Sequence, residues 1–594
     1  METALPAIEV NGVSLSLFDE IVESWGGAEG LEGLSTTEVN ELFQKPSTFD
    51  CGSSTVSMLL KEGRHLEKIG PANVFVSHAW KYIFLDVVKA LKSHFCEEEQ
   101  SQGVFIWFDL FCNNQHNAAT LPFAWWTNTF SASIERIGRT VMILSPWDAP
   151  VTLRRAWCLF EVYCTVEKNA AFDVAMCDHE EADFLSALTD GKSYAKFGEL
   201  IAGIDVEQSE AFKDSDKDMI FAAVRTGPGF GTINLKVLRR IRQWVIDTVS
   251  KAIDAARRNA QKHWESDLKL TLGKLLIDQG LSERCIILLE SEVQAQAVAE
   301  AERRRAEIRS SDADMIRRLD TCHYLAEAYW KVGRYEQASK LMTEVVRERL
   351  ELLGDQHPDT LRTTHNLAML LNSQCDYPAS RALFEDCIAK RRLALGPDHL
   401  DTVQSQLGLA HVCTRVQEND AALGLYQRVL DFYTLKLGAL HVDTLAVQNN
   451  LAYLYRQMGR CEEAVALFED NISARRIKLG DEHPDTLRSK SNLAYTLNAV
   501  GRHAEAAILA RQVQVVHSAT IGPRHPYAIY NQLYLAHSLI GQGGEGNIEE
   551  AMALFKSFMP IGREVLGENN YQLLEHEALF IKLTEEQQIC PKVI

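Results

Sequence analysis

The sequence predicts two unlike parts: an α/β parallel-sheet domain at its N-terminal end and an all-α solenoid of helical repeats behind it. Three observations carry this. Short apolar runs alternate with segments of helical spacing over residues 73–190, the pattern of strands covered by helices on both faces. Beyond residue 318 one motif returns at a fixed step, which marks a stack of helical units. The chain has 594 residues and a hydrophobic fraction of 46%, enough for several domains or a long array.

Each strand follows from its own residues. NVFVSH (73–78), GVFIWFDL (103–110), RTVMILSPW (139–147) and AFDVAMC (171–177) are rich in β-branched, aromatic and aliphatic residues. Between them KYIFLDVVKALKSHF (81–95) and LRRAWCLFEVYCTVEK (153–168) have helix length and spacing, and EEADFLSALTD (180–190) follows the last. In parallel sheets ligands bind beyond the carboxyl ends of the strands. That edge is predicted to hold Ser77, His78 and Asp109. Residues 1–70 read as an N-terminal extension that begins with an irregular segment, 71–194 as the α/β domain, 195–262 as a helical connector and 263–590 as the solenoid.

The array is read from two ladders. Gly354, Gly396, Gly438, Gly480 and Gly522 recur every 42 residues, and so do Ala326, Ala368, Ala410, Ala452, Ala494 and Ala536. A second small-residue ladder runs Ala338, Ser380, Ala422, Ala464 and Ala506; small side chains at fixed places let two helices approach closely. Turn glycines in VGRYEQA, MGRCEEA and VGRHAEA suit left-handed helix ends. Cys375 and Gln417 replace that glycine in two units, so those turns must differ or be strained. Asp359, Asp401, Asp443 and Asp485 are predicted as N-caps of the first helices. Residues 265–295 read as a divergent first unit.

Composition narrows the function. A net charge of −20 disfavours broad binding to nucleic acid or to anionic membranes. No apolar run reaches the roughly 18 residues of a membrane helix. Thirteen scattered cysteines without a CxxC pair fit a reducing, cytoplasmic setting, and CPKVI is not a prenylation box. No metal is expected. His357, His399, His441, His483 and His525 fall one helix pair apart, and helices packed about 8–10 Å apart cannot bring them to one ion; they are predicted to brace their loops. DGKS (190–193) lacks the earlier glycine of a phosphate loop, because Ser186 holds its place. GPGFG (227–231) is too short for a dinucleotide fingerprint. DSDKD (214–218) has Met219 and Arg225 where a calcium loop needs Gly and Glu. The 299–314 stretch reads as a solvated, charge-paired helix.

RRAWCLFEV (154–162) raises the question of function. Glu161 stands in an apolar run, and on a helix it shares a face with Trp157, Cys158, Cys164 and Thr165, none of which pairs a charge. Two readings stay open. Glu161 is a structural carboxylate satisfied by Arg154, Arg155 or a backbone N–H, or it is a site carboxylate whose apolar walls raise its pKa.

Resemblances bear on both parts. NNLAYLYRQMGRCEEAVALFEDNI and HPDTLRSKSNLAYTLNAVGRHAEA, within residues 318–566, resemble tetratricopeptide repeats of the kinesin light chain variety. The resemblance implies a concave face that binds a protein or peptide, with Asn366, Asn450 and Asn492 at positions that hydrogen-bond a peptide backbone; the pattern fails at Gly408 and Tyr534. FVSHAW, FIWFDLFCNNQ, IGRTVMILSPW and RRAWCLFE, over residues 71–180, resemble a TIR domain. WFDLFCNNQ with RAWCLFE is also similar to the fungal heterokaryon-incompatibility domain. This resemblance implies a flavodoxin-like, TIR-like fold that self-associates. It implies Glu161 as the catalytic residue of an NAD(P)+ glycohydrolase, with NAD or NADP as substrate rather than tightly bound cofactor. Ser77, His78, Trp80, Asp109 and Trp157 are then the nucleotide-contacting candidates, with Trp125, Trp126 and Trp147 as further aromatics. Together these imply a cytoplasmic signalling or sensor protein. The alternative is a non-enzymatic scaffold or cargo adaptor, although no heptad coiled coil of the kind that docks light chains on the motor precedes the repeats.

Overall fold

The structure, a computed structural model, describes residues 10–96, 103–116, 123–190, 204–210, 214–226, 229–305, 311–520, 522–567, 570, 573–574, 577–578 and 580–582. Residues 191–193 of DGKS, 195–203 of the connector, 227–228 of GPGFG and 583–590 of the array lie outside the described residues. The chain divides into two compact units, Met1–Val332 and Gly333–Ile594.

The first unit is built on a six-stranded sheet. Its strands are β1 (Asn11–Val13), β2 (Ile69–Pro71), β3 (Val74–Ser77), β4 (Ile106–Trp107), β5 (Arg139–Ile143) and β6 (Ala171–Ala175), in the order β2-β1-β4-β3-β5-β6. β3 to β6 are the four predicted strands, and they pair in parallel. β1 is antiparallel to both β2 and β4, so the sheet is mixed. A stack of Phe75 on Trp107, with ring centroids 4.8 Å apart, lies at its centre, and Phe130 meets both rings edge-on.

The N-terminal extension is part of the domain. Two of the sheet's strands come from it, and so do helices Leu15–Ser24 and Thr55–Glu62, whose Leu15, Leu17, Phe18, Val56 and Leu59 are buried. NGV and IGP are each only three residues long, too short to display a strand period. Gly12 marks the reason β1 fits: a Cβ there would fall 2.8 Å from the backbone of Phe105 and Ile106. The same segment fastens the loop after β3, since Thr36 N donates to Tyr82 O at 2.9 Å and Thr37 N to Trp80 O at 3.0 Å.

The predicted connector also does more than join. Helix Phe230–Arg258 buries Ile233, Val237, Ile241, Trp244, Val245 and Val249. It packs on helix Ala156–Glu167, and its Trp244 stacks on Phe184 at 5.5 Å. Helices Lys262–Asp278, Ser282–Arg305 and Asp312–Lys331 complete the unit.

The second unit alternates two helix types. First helices are Pro358–Ser373, Leu400–Arg415, Val442–Gln457, Pro484–Ala499 and Pro526–Gln542; second helices include Tyr335–Leu353, Tyr377–Ala394, Asn419–Leu437 and Cys461–Leu479. Both small-residue ladders are buried throughout, and Ser380 Oγ donates across the contact to Ala368 O at 2.7 Å.

The N-cap prediction is corrected. His357, His399, His441 and His483, two residues before the aspartates, are the caps, each accepting from the aspartate N–H through Nδ1 at 3.1–3.2 Å. The aspartates lie in the first helical turn, where negative charge meets the helix dipole. Cys375 (φ 64°) and Gln417 (φ 62°) keep the left-handed turn that glycine makes at Gly333, Gly459 and Gly501, so these turns are the same and strained.

Candidate active site and peptide-binding face

Ser77 ends β3, His78 follows it, and Asp109 opens the short helix after β4. Helix Ala156–Glu167 crosses beside this edge, and its Cys158 Sγ donates to His78 O at 3.5 Å. That contact brings the first turns of RRAWCLFE onto the end of β3. Trp80 Nε1 donates to Asp109 Oδ2 at 2.6 Å, and Gln115 Nε2 holds the Asp109 carbonyl at 2.7 Å. The His78 ring stacks on Phe108 at 4.5 Å, with its Nδ1 3.7 Å from Asp109 Oδ1.

Four polar atoms at this edge are buried without a hydrogen-bond partner: Ser77 Oγ, His78 Nε2, Asp109 Oδ1 and Glu161 Oε2. Buried polar atoms are nearly always paired, and each exception needs a reason. Four in one place describe a site shaped for something polar. Of the partners that the structural reading offers Glu161, Arg154 is exposed and Arg155 acts on the carboxyl through its charge, while Oε2 is left without a hydrogen bond.

Charge states follow from burial. Burial pushes the Glu161 carboxyl up to about 8; the Ser77 hydroxyl and Arg155 oppose the rise and Asp109 adds to it. Burial lowers His78, against the pull of Asp109. Burial also raises the Cys158 thiol, which rules out a thiolate nucleophile there. At neutral pH the edge therefore holds a protonated Glu161 and a neutral His78, an acid beside an acceptor.

The other candidates divide. Trp80 belongs to the site through Asp109. Trp157 lies one turn before Glu161, but its ring meets Phe130 at 5.7 Å and Phe160 at 6.3 Å, so it supports the helix from the core side. Trp147 packs edge-on against Phe184. Trp125 and Trp126 lie on helix Phe123–Ile137, and their side chains fall outside the described residues. Among the described residues no group of three or more His, Cys, Asp or Glu could hold a metal ion, and no helix is long and apolar enough to cross a membrane.

On the repeat unit, Asn450 Nδ2 lies 3.0 Å from His411 Nε2, and Asn492 Nδ2 donates to Asn449 Oδ1 at 3.4 Å. These two asparagines thus hold neighbouring first helices, while remaining half-exposed like Asn366. Gly408 breaks the asparagine pattern because a Cβ there would fall 2.4 Å from the Phe384 ring. Tyr534 breaks it by stacking on Tyr495 at 4.7 Å, over which Arg456 lies 3.8 Å from the centroid. A buried arginine ladder was missed by sequence reasoning. Arg349, Arg391 and Arg475 recur at the 42-residue step or its multiple. Arg475 Nη1 donates to Asp485 O at 2.6 Å and to Ser489 Oγ at 3.0 Å, and Arg391 makes the equivalent pair with Asp401 O and Ser405. Where the ladder passes Tyr433, the hydroxyl partner is also absent, as Val447. That paired exchange was the available signal.

Residues 319–392, 363–434 and 443–514 match the tetratricopeptide repeat family. The helical array is a tetratricopeptide-repeat solenoid. Solved structures similar to the chain include the nearly identical TPR-like repeats of a putative kinesin light chain from Podosopora anserina, at 30% identity and TM-score 0.30, over 34% of this chain and 96% of that one. BtubC (BKLC) from P. vanneervenii aligns at 21% identity and TM-score 0.33, over 40% and 94%. The apo quorum sensor NprR from B. thuringiensis aligns at 11% identity and TM-score 0.41, over 64% and 99%. No curated protein matches the chain. A tetratricopeptide solenoid is suited to binding a protein or peptide.

Proposed function

We propose that the solenoid captures a protein or peptide, and that the first unit is a TIR-like domain that self-associates and cleaves the nicotinamide–ribose bond of NAD or NADP. The observation that carries the catalytic reading is the set of unpartnered buried atoms around Glu161. The resemblance of RRAWCLFE to the TIR segment supports the choice of reaction.

The chemistry is balanced without an added reactant other than water. The C1′–N bond breaks heterolytically, and its electron pair passes to the nicotinamide nitrogen. Water adds to C1′ and loses a proton. Nicotinamide, ADP-ribose (or its 2′-phosphate) and H⁺ result. Glu161 contacts the ribose hydroxyls and offsets the oxocarbenium charge. It is protonated in the free protein below about pH 8, and the positive pyridinium of the substrate favours its ionised form on binding. Trp80, held by Asp109, borders the ring.

Nicotinamide release by the concentrated full-length protein tests this, with Glu161→Gln as the control. Release is expected to vanish in the variant, and kcat/KM to rise with pH toward a plateau above about 8. Specific activity that stays flat on dilution would remove self-association from the reading, and equal release by Glu161→Gln would remove the catalytic assignment.

A further inference from the structure

The second helices carry an exposed ladder that the packing of the array does not use. Leu393, Leu435 and Ile477 stand 42 residues apart, at one position of three consecutive units, and are 81%, 82% and 56% exposed. A large aliphatic side chain left in water is ordinary when it stands alone. The same exposure at the same place in three successive second helices describes a stripe that something covers. Seven residues before each rung, two turns back on the same face, stand Asp386, Arg428 and Asp470. Their sign alternates from one helix to the next. Asp386 is held by Lys390 of its own helix at 2.8 Å. Arg428 and Asp470 are exposed and make no hydrogen bond or ion pair with any described residue.

We infer that this stripe is the docking face for a second copy of the chain, joined through helices Asn419–Leu437 and Cys461–Leu479. The choice of occupant follows from charge. A uniformly acidic or basic partner, or an anionic membrane, would gain from one helix of the stripe and be repelled by the next. A second copy displaced by one unit meets the opposite sign at both unpaired charges. A two-fold axis parallel to the helices, running between these two, makes that arrangement. It keeps the helix direction and reverses the order of the units. It sets Arg428 against Asp470 of the second copy, and Asp470 against its Arg428. The same operation lays Leu435 on Ile477 of the second copy, and Ile477 on its Leu435. One contact is thus made twice, as in any isologous interface. The apolar rungs leave water, and the paired charges close the stripe two turns away. Leu393 continues the apolar line on the neighbouring second helix. The inference does not rest on the nucleotide reading, and it uses a surface outside the first unit.

Sedimentation velocity of the full-length protein over a concentration series tests this. Wild type should associate reversibly, with a dissociation constant on the order of micromolar for so narrow a stripe. Leu435→Gln with Ile477→Gln should raise that constant roughly tenfold or more. Arg428→Asp and Asp470→Arg should each weaken association by setting like charges face to face, and the two together should restore it. That recovery is the decisive readout, since exchanging two charges that never meet would not repair the separate losses. All four side chains are exposed, so the melting temperatures of the variants should match wild type. A wild-type chain that stays monomeric at every concentration overturns the inference. So does association that Leu435→Gln with Ile477→Gln leaves unchanged, which would assign it to the first unit. A charge exchange that fails to restore what each single change removes overturns it as well. Glu161→Gln leaves this face intact and should associate as wild type does, so the hydrolase reading and this one fall separately.

Discussion

Glu161 couples the stability of the first unit to pH in an unusual direction. A carboxyl raised from 4.5 to about 8 by burial binds its proton more tightly in the folded chain than in the unfolded one. Its contribution is complete below about pH 4.5 and is lost as pH rises through about 8. Glu161→Gln keeps the shape and discards the titration. Wild type should therefore lose ~2 kcal/mol or more relative to the variant between pH 5 and pH 8.5. Denaturant melts at the two pH values check this, and parallel curves for the two proteins would place Glu161 in water. A carboxylate among apolar neighbours was visible in RRAWCLFEV. The unpartnered His78 Nε2 and Asp109 Oδ1 were not, because a sequence gives residue types and never the absence of a partner. At His441 the local geometry also chose against the usual preference. Its Nδ1 accepts from Asp443 N and takes the role that a carboxylate usually fills. His441→Ala should cost ~1 kcal/mol, whereas Asp443→Ala should cost about half as much; equal losses in a denaturant titration would return the cap to the aspartate.

Elements with a strong period were legible and short ones were not. The 42-residue step survives substitution because burial fixes the alanine ladders, each now between packed helices. β3 to β6 were legible because each lies in a mostly apolar run, broken only by Arg139 and Thr140 in β5, Asp173 in β6 and the terminal Ser77 of β3. β1 and β2 were hidden, since NGV and IGP carry glycine and proline and sit in no longer apolar run such as the one around the two-residue β4, and their pairing partners lie far along the chain. The repeat turns show how far an element can override a residue. Four of the six helix-to-helix turns before the second helices use or imply glycine, but Cys375 and Gln417 hold the left-handed shape at φ 64° and 62°. The cost of that shape for a residue with a Cβ is about 1–2 kcal/mol, and the packed helices on either side impose it. Cys375→Gly and Gln417→Gly should each raise stability by ~1 kcal/mol, a little less than the strain because glycine has more unfolded freedom to lose. Gly408→Ala should act oppositely, by roughly 1–3 kcal/mol, since its methyl would meet Phe384. A higher denaturation midpoint for the first two and a lower one for the third are the expected outcomes; a fall on Cys375→Gly would mean that the cysteine side chain matters more than its backbone.

At the scale of the whole molecule, charge is sorted rather than spread. The chain carries a net −20, yet the first helices from Pro358 to Gln542 have no carboxylate beyond the opening turn, where Asp359, Asp401, Asp443 and Asp485 sit. Along those helices lie Arg362 and Arg488, each paired with the aspartate of its own first turn at 3.0 and 2.9 Å, and Arg415 and Arg456, of which Arg456 is spread over Tyr495. The acidic residues fall on the second helices and the loops. An acidic protein that keeps one set of helices free of carboxylates offers that set to negative partners and repels them elsewhere. If the solenoid captures a peptide as proposed, that peptide is expected to be acidic, and its affinity for the full chain should fall as salt rises, since surface attraction is screened beyond about 8 Å at physiological ionic strength. Two substitutions separate the contributions. Arg456→Gln should weaken binding and flatten the salt dependence. Asn450→Ala with Asn492→Ala should weaken binding while leaving the salt slope alone, because amides supply hydrogen bonds and no charge. Fluorescence anisotropy of a labelled peptide pool, acidic against basic, over a salt series reads both quantities. Salt-independent binding, or a preference for basic peptides, would show that the sorted charge serves the packing of the helices instead of recognition.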